Sequence, residues 1–325
     1  MMLHTFLTTS WQLRYPIVGA PMAYVGRGRL AQAVSQGGGL GMIGIGSKET
    51  PELIAREAAI ARGEDGQGRF GIGLMAWAIE QRPELLQASL EAGPFLLSIS
   101  FGSPAPYVEE LHRRGIQLAA QVHNRKEALE AAQAGVDLLV VQGSEAGGHT
   151  GHVGTLALLQ TVLDNVQLPV LVAGGIATPR GVAAALAAGA QGVWVGTCLL
   201  ASPECENTEA ARARIIQARE DETVLTRAFD VAQGIPWPEQ YPGRALRNSF
   251  AEQWHARIAE LAQNESARQQ MAEAMKRKDY DQAYIYAGEA VGLVKKEKPA
   301  AEVIRQMGDG AEQLLRERCN TLLAD

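Results

Sequence analysis

From Pro16 to about Arg219 the sequence repeats one theme eight times: a short apolar β-type run, then a helix-type stretch rich in Ala, Leu and Glu. The strands are expected at Pro16–Met22, Leu40–Gly46, Phe70–Met75, Phe95–Phe101, Gln117–Val122, Leu138–Gln142, Val170–Ile176 and Gly192–Leu199. Several are apolar without strict alternation, as parallel strands covered on both faces must be, which excludes an antiparallel sandwich. Regular βα alternation closes as an eight-stranded barrel or opens as a doubly wound sheet. Eight units, with the most specialised loops after the last three strands, favour an α/β fold of the (β/α)8 TIM barrel type.

The helix-type stretches carry recognisable ends. Thr50-Pro51-Glu52 sets a capping residue, a first-turn proline and an early acid in order, and Thr178-Pro179 repeats the first two. Gly93, Gly115, Gly135 and Gly189 each fall just past a helix, where a left-handed residue ends it at little cost. Gly37-Gly38-Gly39 precedes a strand instead of following one, so it reads as a helix stop and not as a dinucleotide fingerprint. After about Glu220 the alternation stops. Residues 221–250 read as loop, with Pro236, Pro238 and Pro242 around Trp237 and Tyr241, and helices are expected at Ala251–Asn264, Ser266–Arg277 and Pro299–Leu323. Residues 1–220 are thus expected to form the barrel and 221–325 a C-terminal helical appendage, either a solvated packing extension or a lid over the barrel mouth.

A chain of 325 residues accommodates such a barrel and extra helices. Its net charge of −6 is interspersed with both signs, so no face is declared for a polyanion and no nucleic-acid partner is expected. A small anion remains open, because backbone amides bind one whatever the global charge. Cys198, Cys205 and Cys319 make neither an even disulfide framework nor a metal cluster, which points to free thiols in a reducing compartment. No run of about 18 apolar residues lacks a charge or a break, so a cytoplasmic protein without a membrane partner is expected.

In such barrels the working face is built at the carboxyl ends of the strands. The seventh run ends Ala173-Gly174-Gly175-Ile176, directly before the helix opened by Thr178-Pro179, and the eighth passes through Val195-Gly196-Thr197. Taken singly, each of these turns shows no more than glycine permitting a tight bend. Two glycine turns at adjacent strand ends, beside helix amino termini, instead suit a phosphate held by bare amides. The stretch from Gln142 to His152 is also glycine-rich, yet carries two imidazoles, one carboxylate and one amide. Such a loop lies flat against a planar ligand, and His149 is its candidate acid, base or anion stabiliser. His152 reads as structural or solvated. His149 and His152 are three apart on a glycine loop with no cysteine nearby, so no metal set is assigned. Cys198, placed in the last strand, reads as a small buried thiol.

Gly19-Ala20-Pro21-Met22, the stretch from Gln142 through Gly-Ser-Glu-Ala-Gly-Gly to His149, Ala173-Gly174-Gly175-Ile176 and Val195-Gly196-Thr197 together resemble the nitronate monooxygenase family, formerly called 2-nitropropane dioxygenases. The resemblance runs from Pro16 to about Pro203 and resumes in Thr226-Arg227-Ala228-Phe229, Arg247-Asn248 and Tyr286 to Leu293. It implies an FMN cofactor, with Ala20, Pro21 and Met22 against the isoalloxazine. Gln121, Gln142 and Gly147 would reach the ring or ribityl chain, Gly174, Gly175, Gly196 and Thr197 would bind the phosphate, and Gly148 and Ala173 belong to the same cofactor site. His149 matches the histidine taken as catalytic base in that family. There, nitronates such as propionate 3-nitronate are oxidised with dioxygen to a carbonyl compound and nitrite, without a nicotinamide. One departure stands out: the family often has an asparagine near the flavin at the end of the third strand, where this chain has Gly73.

The resemblance therefore implies a nitronate and dioxygen as small-molecule partners, with a homodimer left open. Quinone reductases and enoyl-acyl-carrier-protein reductases share the barrel and its turns, so an NAD(P)H-dependent flavin reductase is the alternative reading. A flavin-binding protein without turnover and a non-flavin enzyme of sugar phosphates are more distant ones. Tyr241, Arg244, Arg247 and residues 286–292 are candidates to close over the flavin, with Arg247 suited to a substrate carboxylate; the equal alternative is that these arginines bind helix ends or neighbouring acids.

Overall fold

The computed structural model describes residues 3–322; Met1 and Leu323, the last residue expected in the final helix, lie outside them. Eight parallel strands make one sheet: β1 (Ile17–Gly19), β2 (Met42–Gly44), β3 (Gly71–Met75), β4 (Leu96–Ser100), β5 (Gln117–Val122), β6 (Leu138–Gln142), then, past the separate β7 (Gly148–His149), β8 (Val170–Ala173) and β9 (Gly192–Val195). Their order is β1-β9-β8-β6-β5-β4-β3-β2. Gly19 N–H donates to the Leu40 carbonyl (2.9 Å) and Leu40 N–H to that of Ile17 (3.0 Å), which joins β1 to the residues before β2 and closes the barrel.

Successive side chains on a strand point to opposite faces, so each strand feeds two cores. Leu138, Val140, Leu171 and Trp194 pack inside the barrel, while Leu139, Val141, Val172 and Val193 pack outward under the helices. Full burial of each of these aliphatic side chains is worth roughly 1.5–3 kcal/mol, which is why the runs read as continuously apolar. The amino-terminal segment plugs one end. Leu7, Trp11 and Leu13 join the inner cluster, Trp11 meets Phe95 edge-on at 5.1 Å, and Phe6 N–H donates to Gln191 Oε1 at 2.8 Å. The amino ends of the strands are thereby sealed, and the carboxyl ends remain for a ligand.

The strands are shorter than the apolar runs. Ala20–Met22 leave β1 as loop, and the last run stops being a strand at Val195, because Thr197–Leu199 form a 3-10 turn. Cys198 therefore sits in that turn and not in a strand. Thr50 does cap the helix Pro51–Arg62, accepting from Leu53 N–H, and Gly93, Gly115, Gly135 and Gly189 all take positive φ at the expected helix stops.

Residues 221–250 are not loop throughout. β10 (Thr223–Thr226) and β11 (Gly243–Leu246) pair antiparallel, and β11 pairs in turn with β7, Gly243 opposite His149 and Arg244 opposite Gly148. The expected helix over 251–264 is broken into Ser249–Trp254 and Ile258–Gln263, followed by Glu265–Arg277. These elements have their own core of Phe229, Phe250, Trp254, Leu261 and Met271. The final helix, Ala300–Leu322, returns to the barrel wall between the helices Gly28–Gln36 and Pro179–Ala187. Gly308 on it lies where a Cβ would strike the Tyr15 ring, and Tyr15 donates its hydroxyl proton to Asp309 at 2.6 Å.

Candidate active site

A cavity of about 410 Å³ opens at the carboxyl ends of the strands, within the size range of small-molecule and cofactor sites. Every residue assigned from the sequence to the cofactor or to catalysis lines it: Ala20, Pro21 and Met22 after β1, Gln121 on β5, Gln142 on β6, Gly147 in the following loop, Gly148 and His149 on β7, Ala173, Gly174 and Gly175 at the end of β8, and Gly196 and Thr197 after β9. The wall opposite comes from the C-terminal elements, through Asp230, Trp237, Tyr284 and Tyr286.

His149 is not a loop residue projecting freely. It lies in β7, is 9% exposed, and its Nε2 stands 2.9 Å from Asp230 Oδ1. A carboxylate only accepts, so Nε2 carries a proton, and among the described residues Nδ1 has no hydrogen-bond partner. Tyr286 donates to the same Asp230 oxygen at 3.2 Å. Burial, then the Asp230 charge, pushes that phenol well above its ordinary range, so it stays a donor. Trp237 stacks flat on the imidazole, ring centroids 3.4 Å apart and 8° between planes. Asp230 is the residue that sequence reasoning missed. Its signal is a carboxylate set between Phe229 and Val231 in an apolar stretch, and it ends up 4% exposed with Oδ2 unpartnered.

Gly174 and Gly175 take φ of 109° and 73°, a region closed to most side chains, and form the turn before the helix Pro179–Ala187. Thr178 makes no side-chain cap on that helix, which leaves its first amides for an anion. Thr197 Oγ1 accepts from Gly288 N–H at 3.0 Å, tying the last strand end to the C-terminal elements. The Glu145 carboxylate reaches the same region but is held by Thr155, whose N–H (3.3 Å) and hydroxyl both donate to it.

Gly73 has no room for an asparagine. A Cβ there would lie 2.3 and 2.4 Å from Pro21 Cγ and Cβ. Next to it, the buried hydroxyls of Ser98 and Ser100 on β4 line the cavity with no hydrogen-bond partner. Buried polar atoms rarely go unpaired, and these two, with Asp230 Oδ2, fit a polar ligand lying across the mouth. Across the floor, Gln121 Nε2 donates to Gln142 Oε1 at 2.9 Å.

Other expected contributors serve elsewhere. Arg244 donates to the Ser144 carbonyl and to Thr223 Oγ1 and pairs with Glu289 at 3.1 Å, bracing the loop that carries His149. Arg247 donates to the Thr223 carbonyl and does not line the cavity, so it is not placed for a substrate carboxylate. His152 is exposed. Burial pushes the Cys198 thiol up to about 12 and that of Cys205 to about 11, which leaves both unreactive near neutrality. Among the described residues no helix is long and apolar enough to cross a membrane, and no group of three His, Cys, Asp or Glu is placed to hold a metal.

A family model described as nitronate monooxygenase matches residues 79–310, well over half of the chain. The chain belongs to the nitronate monooxygenase family. It is 29% identical to a nitronate monooxygenase of Neurospora crassa, over 92% of this chain and 90% of that one. A 1-oxo-octahydro-1H-indene-4-carboxyl-CoA dehydrogenase of Mycobacterium tuberculosis is 34% identical over 78% of this chain and 68% of its own. Among solved structures, FabK from Thermotoga maritima superposes with a TM-score of 0.86 at 28% identity, covering 98% of this chain and all of that one. As a nitronate monooxygenase family member this chain is a flavoprotein oxidoreductase acting on a small molecule.

Proposed function

We propose that the protein binds FMN and oxidises alkyl nitronates, such as propionate 3-nitronate, with dioxygen to a carbonyl compound and nitrite. The observation that carries this reading is His149, held by Asp230 through Nε2, in the wall of a cavity that the glycine turns also line. Gly174, Gly175, Gly196 and Thr197 would hold the FMN phosphate. The orphaned Ser98 and Ser100 hydroxyls and the Gln121–Gln142 amides would meet the ring and ribityl chain, and Ala20, Pro21 and Met22 would lie against the ring. The bound flavin supplies the electron-accepting chemistry.

The side chains orient and hold protons. Asp230 fixes the imidazole in the Nε2–H form, so Nδ1 accepts the α-proton of a neutral nitroalkane and, once protonated, holds the nitronate oxygens. Trp237 and Tyr286 pack against the imidazole and screen it from bulk water. A preformed nitronate needs no proton removed, which separates the two substrate classes.

A second reading, an NAD(P)H-dependent flavin reductase acting on a quinone or enoyl thioester, is favoured by one observation: the cavity is lined also by Thr208, Lys278 and Tyr280 of the segments beyond the barrel strands, which leaves room for a substrate besides the flavin. The test is an absorbance spectrum of the purified protein, identification of the flavin released by acid, and anaerobic titration. Bleaching by propionate 3-nitronate and not by NADH is expected. Rapid bleaching by NADH alone overturns the nitronate assignment, and a colourless protein that takes up no flavin overturns both.

A further inference from the structure

A second imidazole lies beneath the cavity floor. His123 follows β5, is 2% exposed, and makes two short contacts: Nδ1 to Glu127 Oε2 and Nε2 to Gln142 Oε1, each 2.8 Å. Phe101 stacks on its ring at 5.3 Å and Tyr241 tilts against it at 4.9 Å. Glu127 accepts from His123 N–H (2.9 Å), Asn124 Nδ2 (2.6 Å) and Tyr241 OH (3.1 Å) as well. Burial raises its pKa, but the hydrogen bonds and charge from His123, with the Tyr241 bond, outweigh this and hold the carboxyl below its ordinary range. Tyr241, pushed far up by burial, remains a phenol donor.

Facing an ionised carboxylate, Nδ1 must donate. The remaining question is Nε2. Gln142 Oε1 lies against both His123 Nε2 and Gln121 Nε2, and an amide oxygen only accepts, so with the amides in this sense the ring donates from both nitrogens, as an imidazolium does. Turning both amides by half a turn gives the other pattern that pairs every donor with an acceptor, and it requires a neutral ring. The proton count of His123 and the sense of the two amides are therefore one variable. With the ring cationic, Gln142 Nε2 and Gln121 Oε1 are the atoms left for the cavity, which both residues line.

A helix cap explains part of this. Asn124 Oδ1 accepts from Glu127 N–H at 3.0 Å, and Glu127 reaches back to the preceding amide. The cap does not explain an imidazole at 123 bridging to Gln142.

We propose that the His123–Glu127 pair is a positioning device for the cofactor: it sets the donor and acceptor sense of the Gln142–Gln121 amides and turns the positive end of an ion pair toward them, so that the pocket favours the more negative, reduced form of the flavin. This rests on the flavin reading above. His123 touches no reacting atom and acts through Gln142.

Two measurements test it. In flavin-free protein labelled with 15N-histidine, NMR at pH 7 should show one buried imidazole protonated on both nitrogens, assigned by its loss in His123→Gln, and Glu127→Gln should remove one of those protons. In the flavin-loaded protein, both variants should bind reduced flavin about tenfold less favourably relative to oxidised flavin, a fall of about 30 mV in the two-electron midpoint potential. A neutral His123 ring in the wild-type protein at pH 7 overturns the proposal without needing any variant to fold. So does an unchanged potential in both variants. Failure to oxidise nitronates leaves both measurements possible, so the two readings fail separately.

Discussion

His149 and His123 are both buried imidazoles set against a carboxylate, 2.9 Å from Asp230 and 2.8 Å from Glu127. They differ in where the carboxylate comes from and in what the other nitrogen meets. Glu127 is four residues along the same chain segment, and the free nitrogen of His123 is committed to Gln142. Asp230 arrives from 81 residues away, on a helix outside the barrel, and the second nitrogen of His149 is uncommitted in the cavity wall. The same pair of groups thus does two jobs. One exposes a lone pair; the other locks a ring into a hydrogen-bonded floor.

Replacing His149 by Asn is expected to have the largest effect. Loss of a general base costs about 10²–10⁴-fold, and that loss should fall on kcat/KM for neutral nitroalkanes while preformed nitronates lose far less. Equal losses on the two substrates would remove the base role and with it the contrast with His123. Asp230→Asn comes next. The amide can offer its NH2 to Nε2 and stabilise the wrong tautomer, so nitroalkane turnover should fall by roughly ten- to a hundredfold, less than the value known for a buried triad aspartate. The ratio of nitroalkane to nitronate rates, compared with that of His149→Asn, is the measurement; a ratio unchanged from wild type would make Asp230 merely structural.

Gly73→Asn probes the barrel side without touching either histidine. Its new Cβ meets the Pro21 ring at 2.3–2.4 Å, and overpacking of this kind costs about 1–3 kcal/mol. Lower stability in denaturant and weaker flavin uptake are expected, with the nitroalkane-to-nitronate ratio unmoved. An unaltered denaturation midpoint would mean that Pro21 yields easily and that the floor is less fixed than the appendage wall.

The contrast also explains what was legible in the sequence. The barrel was, because βα alternation is written in local periodicity, and the cavity-lining glycines sit at strand ends that the same periodicity locates. Strand ends were overrun because runs such as Val170–Ile176 stay apolar where the backbone turns away at Gly174 and Gly175 with positive φ. The β7–β11–β10 sheet was hidden, since strands of two and four residues are too short to display alternation. Asp230 could not be paired with His149 by any local rule, and Arg247 looked available because nothing nearby in sequence betrays its bond to the Thr223 carbonyl. Glu127 and His123, four apart at the start of a helix, were within reach of local reasoning, but only the fold brings Gln142 to the other side of the ring.

The smallest effects separate the two carboxylates by their phenol donors. Tyr286→Phe removes one donor from Asp230 and Tyr241→Phe one from Glu127, each bond worth about 0.5–1.5 kcal/mol net, somewhat more to a charged group. Tyr286→Phe should lower nitroalkane turnover a few-fold. Tyr241→Phe should instead change the acid stability profile. Glu127 is held below its ordinary value near 4.5, so its contribution to stability is complete above that pH and is lost as pH falls through the depressed folded value. Removing the Tyr241 donor brings the folded value back toward the ordinary one, so less stability remains to be lost on acidification. Denaturant unfolding measured at pH steps below about 5 should therefore give Tyr241→Phe a shallower acid limb than wild type. A limb that coincides with wild type would mean that the phenol leaves Glu127 untouched and that His123 and Asn124 hold the carboxylate alone.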